Sequence, residues 1–411
     1  MAGPLRRRRI AGVMTGTSLD GIDVAICEVD DTSVDLVAFS TIPYPDDVIE
    51  RIRRLLNTGT ASLRDVSSLE FDLARAYASA LRSVVDPTTL DAVGVHGQTM
   101  WHEPPLSTWQ AGNVSVLATL LETTVVGDMR TADVADGGQG APLVPMFDEV
   151  MFRRENETTI CLNIGGMANM TILPPRRSPG ESHSPGESHS PGEFHSPGES
   201  QSPGESQSPG ESHSPGESHS PGDIVAFDCG PGNVLINAAV RLTFGKSFDN
   251  GGAIAEAGRP IRALLDEILA HPWLALDPPK STGREVFNDE LAAFYVKKYA
   301  HPSMPSEDVV RTITEASALI IADHVRRYAS SAQRIIVSGG GVHNSVIMSV
   351  LASTLPAVDI IKSDDVGIPS DAKEAMCWAW LADRTLRGLP SNIPSVTGAR
   401  RPHVLGVVAR P

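Results

Sequence analysis

The residues best suited to chemistry sit in short polar stretches that interrupt apolar runs. Between the runs 10–14 and 22–29 lies Thr15-Gly16-Thr17-Ser18-Leu19-Asp20-Gly21, which predicts two antiparallel strands joined by a Gly-rich turn. Gly16 and Gly21 let backbone N–H groups approach a ligand, Thr17 and Ser18 add hydroxyl donors, and Asp20 and Asp23 can serve a metal ion. Such a turn can hold a phosphate. It lacks the Lys-Ser/Thr ending of a P-loop, and a strand follows it, which disfavours a Walker-type NTPase. A hairpin whose Gly and Asp residues only satisfy turn geometry is the competing reading.

Asp228 closes the apolar run 224–227 and is followed by Cys229-Gly230-Pro231-Gly232-Asn233 and a helical pattern. A carboxylate there can meet a ligand as a general base or act as a helix cap. Two further strand ends deliver His96-Gly97-Gln98-Thr99 with His102, expected on a loop, and Asp128-Met129-Arg130 with the loop 137–142. Together they suggest a pocket of hydroxyl-seeking side chains, as a sugar requires. His96 and His102 have no Cys or carboxylate at a metal-site spacing, so hydrogen bonding is the expected role. Gly339-Gly340-Gly341, ahead of Val342-His343-Asn344, clears side chains from a place where a flat or anionic ligand could lie. Glu374 either contacts ligand or completes a capping box with Asp371.

The elements that must position these groups follow from periodicity. Residues 35–42 predict a third strand, and Ser62 opens a helix with Val66, Leu69, Leu73, Tyr77, Ala80 and Val84 on one face. Residues 158–171 predict a second hairpin, turning at Gly165-Gly166 between Asn163 and Asn169. Two glycine-turn hairpins, each opening a block of strands and helices, suggest two related lobes around one nucleotide. Helices are expected over 234–242, 312–328 and 371–386, the last closed by Gly388, and a strand over 334–337.

The chain has 411 residues, 41% of them hydrophobic and 20% charged, and a net charge of −16. Residues 178–223 hold seven Glu, one Asp and no Lys or Arg, half of that net charge, in seven Ser-Pro-Gly-Glu hexapeptides and a truncated copy. Phe194 is its one large apolar residue, so disorder is expected there. The acidity argues against nucleic acid, no membrane span or signal peptide is visible, and four scattered cysteines fit reduced thiols of the cytoplasm.

With these residues assembled, the chain resembles the anhydro-N-acetylmuramic acid kinases of the actin/hexokinase/Hsp70 superfamily. The resemblance rests on GVMTGTSLDGIDVA, HGQTMWHEP, LNIGGMANMT, FDCGPGN, FDNGGAIAEAG, PPKSTGREVFN, VSGGGVHN and DAKEAMCWAWLA, in that order, and spans nearly everything outside 178–223. Cys229 stands where Thr is expected, and Met129 where Phe is usual. The resemblance implies an α/β, two-lobed actin/hexokinase-like (ribonuclease H-like) fold with a nucleotide cleft between lobes. The first lobe would comprise 1–132 plus about 388–411, the second 133–387, with 178–223 inserted in it. It implies ATP and Mg²⁺, with phosphates on Gly16, Thr17, Ser18, Leu19, Asp20, Gly21, Ile22, Asp23, Gly165, Gly166 and Asn169. Adenosine would lie near Gly339, Gly340, Gly341 and Asn344, and the metal at Asp20. The anhydro amino sugar would meet His96, Gln98, Thr99, Arg130 and Glu374, with Asp228 as general base. A small-molecule kinase working in the cytoplasm, without nucleic acid or membrane and with a homodimer allowed, is the expectation. An ordinary sugar kinase and a non-catalytic actin- or Hsp70-like module are the alternatives.

Overall fold

The computed structural model describes residues 6–16, 19–176, 223–300 and 304–411. The repeat tract expected to be disordered, and Thr17 and Ser18 at the first turn, lie outside the described residues.

Two sheets carry the chain. The first runs Val407–Ala409, Val125–Gly127, Ala92–Val95, Arg8–Met14, Ile22–Val29, Val34–Ile42, and the second Val225–Pro231, Met167–Leu173, Thr158–Ile164, Ala332–Ser338, Asp359–Lys362. Both are built alike. An antiparallel three-strand meander opens each, and two later strands add in parallel on the side of its first strand; in the first sheet Val407–Ala409 then closes the edge antiparallel. The expected two-lobed α/β architecture is therefore present as a duplicated sheet plan.

Alternation decides which face each strand buries. Ala11, Val13, Val24 and Ile26 face outward onto the helices Leu63–Val84 and Val114–Leu121, through Leu73, Tyr77, Leu81 and Leu117. Leu162, Met170, Phe227 and Val337 face the helices Val234–Phe244 and Ser306–Tyr328 on the other side. Between the sheets lies a third core, where Ile10, Ala25 and Ala92 meet Cys161, Leu173 and Ile336 around Phe147, Trp378 and Trp380. Ser62 caps its helix as the spacing implies, accepting from the Asp65 N–H, while the helix expected to start at 312 starts at Ser306 after Pro305.

Helix Lys373–Arg387, closed by Gly388 in the left-handed region (φ 69°), belongs to the middle layer. Sequence reading places it with the second lobe, yet its backbone lies directly on the first sheet. A Cβ built on Gly12 would sit 1.8 Å from the Ala375 carbonyl oxygen, and one on Gly94 2.2 Å from that of Trp378. Only glycine admits so close an approach. Gly94→Ala is expected to lower stability by roughly 1–3 kcal/mol or more, because the obstacle is backbone. Urea unfolding checks this, and an unchanged midpoint would refute the contact. The strand Val407–Ala409 pairs with Val125–Gly127, so the C-terminus also rests on the first sheet.

Candidate active site

One row of side chains crosses the second sheet. Asp228 is paired with Asn169, Asn169 with Asn163, and Asn163 with Ser338. Directly opposed residues share a face, so Asp228, Asn169 and Asn163 project together toward the first lobe. Strands lie about 4.8 Å apart, which sets the Asp228 and Asn163 backbones roughly 10 Å apart. Their neighbours Phe227, Met170 and Leu162 point the other way, into the outer core.

Asn163 joins this row to the middle helix, its amide Nδ2 lying 3.4 Å from Glu374 Oε1. Glu374 is the second residue of that helix, whose N-cap is Ala372 with no side-chain cap bond, so the capping-box alternative does not hold. Burial pushes the Glu374 carboxyl above the ordinary range; Lys373 and Arg130 oppose this, while Asp23 and Asp20 of the first hairpin reinforce it. Glu374 thus stands where both hairpins converge. Asp23 accepts from the Thr41 hydroxyl (2.6 Å), and its carboxyl too is raised, by burial and then by the charges of Asp20 and Asp371. Asp20 is exposed.

At the first turn the Leu19 N–H meets the Gly16 carbonyl at 3.4 Å, with Leu19 held at φ 56°. The side chains of Leu19 and Ile22 are buried in the outer core, which leaves their backbone for a ligand. Gly21 packs on Thr41, where a Cβ would come within 2.5 Å of its methyl. At the second turn the carbonyls of Gly165 and Gly166 accept from the N–H groups of Gly232, Asn233 and Val234 at the start of helix Val234–Phe244. Gly339 lies at φ 80° against Asn163, where a Cβ would be 2.4 Å from its Oδ1, and Gly341 packs on Ile164. Gly340 is exposed, with open space above it.

Buried His96 pairs with the half-buried Arg130. Nδ1 of His96 donates to the Thr15 carbonyl (3.0 Å), so Nε2 is a bare acceptor, and the Arg130 guanidinium donates to it at 2.9 Å. Burial, then the Arg130 charge, depresses the imidazole to about 3, so it is neutral. Burial also lowers Arg130 to about 10, with Glu374 and Asp133 opposing, and its Nη1 donates to the Gly140 carbonyl (2.8 Å). The Trp378 ring lies 4.7 Å from His96.

Gln98, Asn344 and the segment holding Thr99 also have partners within the chain. Gln98 is fully buried, its amide spent on the Tyr44 hydroxyl (2.7 Å) and the Gly16 carbonyl (3.3 Å), so it braces the first turn from behind. Asn344 is buried and caps helix Ser345–Thr354 by accepting from Val346 and Ile347. Residues 98–102 are not a loop: Gln98–Glu103 pairs with Ser107–Ala111 as a separate hairpin, interrupted in sequence by Pro104-Pro105. Thr99, on the face opposite Gln98, lines a hollow of about 360 Å³ with Leu56, Met100, Trp101, His102 and Glu103.

Asp228 is half-buried on an edge strand, and residues 280–282 complete that edge. Its N–H donates to the Lys280 carbonyl (3.1 Å), and its Oδ2 accepts from the Thr282 N–H (2.8 Å). Burial raises the carboxyl to about 6, with Glu285 adding to the rise and the Thr282 bond opposing it. A reaction that needs the ionised carboxylate should therefore lose rate below about pH 6. A pH profile of kcat checks this, and a flat profile down to pH 5 would remove Asp228 from that role. Cys229 faces the outer core at a bulge in the strand, away from this face. Thr282, whose N–H meets the Asp228 carboxyl, is a contact that sequence reading did not single out, whereas Asn163 flanks the turn it named. A backbone donor such as Thr282 leaves no signal in the sequence.

Among the described residues no group of three His, Cys, Asp or Glu side chains could hold a metal alone. The charge of Asp20 reaches both Asp23 and Glu374 and helps to raise their carboxyls.

The profile of the anhydro-N-acetylmuramic acid kinase family matches residues 8–187 and 218–411, and a repeat of unknown function matches 197–223. An anhydro-N-acetylmuramic acid kinase of Salinibacter ruber is 36% identical over 426 residues, covering 98% of this chain and 97% of the relative. One from Bacillus cereus (strain AH820) is 33% identical over 422 residues, covering 98% and 99%. Among solved structures, the activator of 2-hydroxyisocaproyl-CoA dehydratase from Clostridium difficile, with bound ADPNP, aligns at a TM-score of 0.39 and 11% identity over 90% of this chain and 92% of that one.

Proposed function

The chain belongs to the anhydro-N-acetylmuramic acid kinase family, and from that premise we propose that it opens the 1,6-anhydro ring of its sugar with water while phosphorylating O6. The enzyme is a phosphotransferase of a small molecule. A 1,6-anhydro bond leaves no free 6-hydroxyl, so transfer requires that the C1–O6 bond break. Asp228 takes a proton from water as the water oxygen bonds to C1; O6 departs with the bond electrons and forms its new bond to the γ-phosphorus of ATP, releasing ADP. The products are N-acetylmuramic acid 6-phosphate and ADP, which suits recycling of cell-wall sugar. Net inversion at C1 is expected, with phosphoryl transfer taking the place of the usual acid carboxyl.

The single observation that carries this reading is the row Asp228, Asn169, Asn163 continued by Glu374 to the first hairpin. It supports a base and both phosphate-facing turns along one cleft. Asp20 would hold the magnesium ion, which neutralises phosphate charge when bound. Arg130, held in place by the neutral His96, offers its remaining guanidinium N–H groups toward the sugar, and Gly340 offers an open surface for adenosine.

Oxygen-18 water tests the coupled reaction against ordinary transfer to a free hydroxyl. Label at C1 of the phosphorylated product is the expected result, and product without label there would favour simple transfer. A cytoplasmic setting is part of the proposal. Cys27, Cys161, Cys229 and Cys377 are all buried and free, and among the described residues no helix is long and apolar enough to cross a membrane.

A further inference from the structure

Behind Asp228 lies a buried cation that the reaction does not use. Lys280 is 9% exposed, and its ammonium stands 2.8 Å from His324 Nε2, 3.4 Å from the Leu274 carbonyl and 4.5 Å from the centre of the Trp273 ring. His324, 1% exposed on helix Ser306–Tyr328, donates through Nδ1 to the Ile320 carbonyl (2.8 Å), so Nε2 must accept from Lys280. Burying an ammonium against a neutral imidazole without a carboxylate in contact is costly for a surface loop. The backbone of that same lysine closes the edge of the strand at Asp228, and two residues on the Thr282 N–H holds the carboxylate.

We propose that Lys280 and His324 are positioning residues that clamp the 280–282 segment to the core, so that the Thr282 N–H stays aimed at Asp228 and keeps it ionised. The proposal rests on Asp228 as the base. Lys280 acts through geometry: the groups that move the Asp228 carboxyl are its own burial, the Thr282 N–H and Glu285. Asp277, Asp323, Arg327 and the buried Cys229 thiol are the other ionisable groups that face Lys280. A hydrogen bond to the charged form lowers a carboxyl pKa, so loosening the clamp must raise it.

The test is a ¹³C titration of the Asp228 carboxyl in the full chain, its signal assigned by loss in Asp228→Asn, with kcat measured alongside. Lys280→Met keeps length and packing but cannot donate to His324. It is expected to move the midpoint upward by about half a unit to one unit. It should also lower kcat by roughly tenfold, with KM for ATP within about twofold. His324→Phe should do the same, and His324→Gln, which restores an acceptor, should return the midpoint toward that of the parent. An unmoved midpoint in folded Lys280→Met overturns the clamp, and if that variant does not fold, an unmoved midpoint in His324→Phe does so. The carboxyl titration is read whether or not Asp228 is the base, and retained turnover in Asp228→Asn separately overturns the base assignment.

Discussion

Asp228→Asn is expected to lower sugar-dependent ADP release by roughly 10²- to 10⁴-fold, the usual contribution of a positioned general base. The side chain keeps its size, and its amide oxygen still accepts from the Thr282 N–H, so the edge of the strand should survive. What disappears is the ability to take a proton from the attacking water. With its carboxyl near 6, Asp228 is ionised at neutral pH and still basic enough to be useful, which an exposed aspartate near 4 is less able to be. The loss should fall on kcat and kcat/KM together, because the interaction is made in the transition state. The residual rate should show no acid limb near pH 6. Undiminished turnover would leave the row of polar residues across the second sheet without its chemical purpose.

Much of this arrangement was legible because it is local. Each hairpin announces itself by apolar runs around glycines, and Ser62 with Asp65 marks a helix start within four residues. The duplicated sheet plan follows once both hairpins are seen. What escaped is tertiary. Gln98 reads as a polar side chain at a strand end, and only Tyr44, contributed by a distant segment, turns its amide away from the cleft. Asn344 reads as a ligand contact beside three glycines, but the helix it precedes claims its oxygen. Glu374 had two local readings of equal standing. The choice fell to the second hairpin, through Asn163, and to the exact residue at which the helix begins. That helix Lys373–Arg387 beds on Gly12 and Gly94 escaped for the same reason, since sequence order says nothing about which sheet offers a bed.

Lys373 illustrates how far such tertiary placement can reach, and its replacement by Met should cost about 3–5 kcal/mol of stability near neutral pH. Its ammonium lies 2.7 Å from Asp148 Oδ1, with the two side chains 4% and 3% exposed, and it joins helix Lys373–Arg387 to helix Val144–Phe152 inside the middle core. Asp148 holds the lysine well inside its charged range, while burial pushes the Asp148 carboxyl upward against the pull of Lys373 and the Thr171 hydroxyl. Without the lysine, Asp148 must fold protonated. Holding a proton at pH 7 on a carboxyl that is otherwise ionised above about 3.9 costs roughly 4 kcal/mol, the same size as the penalty for an unpaired buried charge. The sign fixes the pH dependence: the folded variant binds a proton that the unfolded chain releases, so its stability should rise as pH falls from 7.5 toward 4. Lys373→Met with Asp148→Leu removes both charges and should regain most of the loss, with that slope gone. Urea unfolding at pH 5 and 7.5 measures both effects. Equal destabilisation of Lys373→Met at the two pH values would mean that the aspartate finds another partner, and the tie between the two middle helices would have to be sought elsewhere.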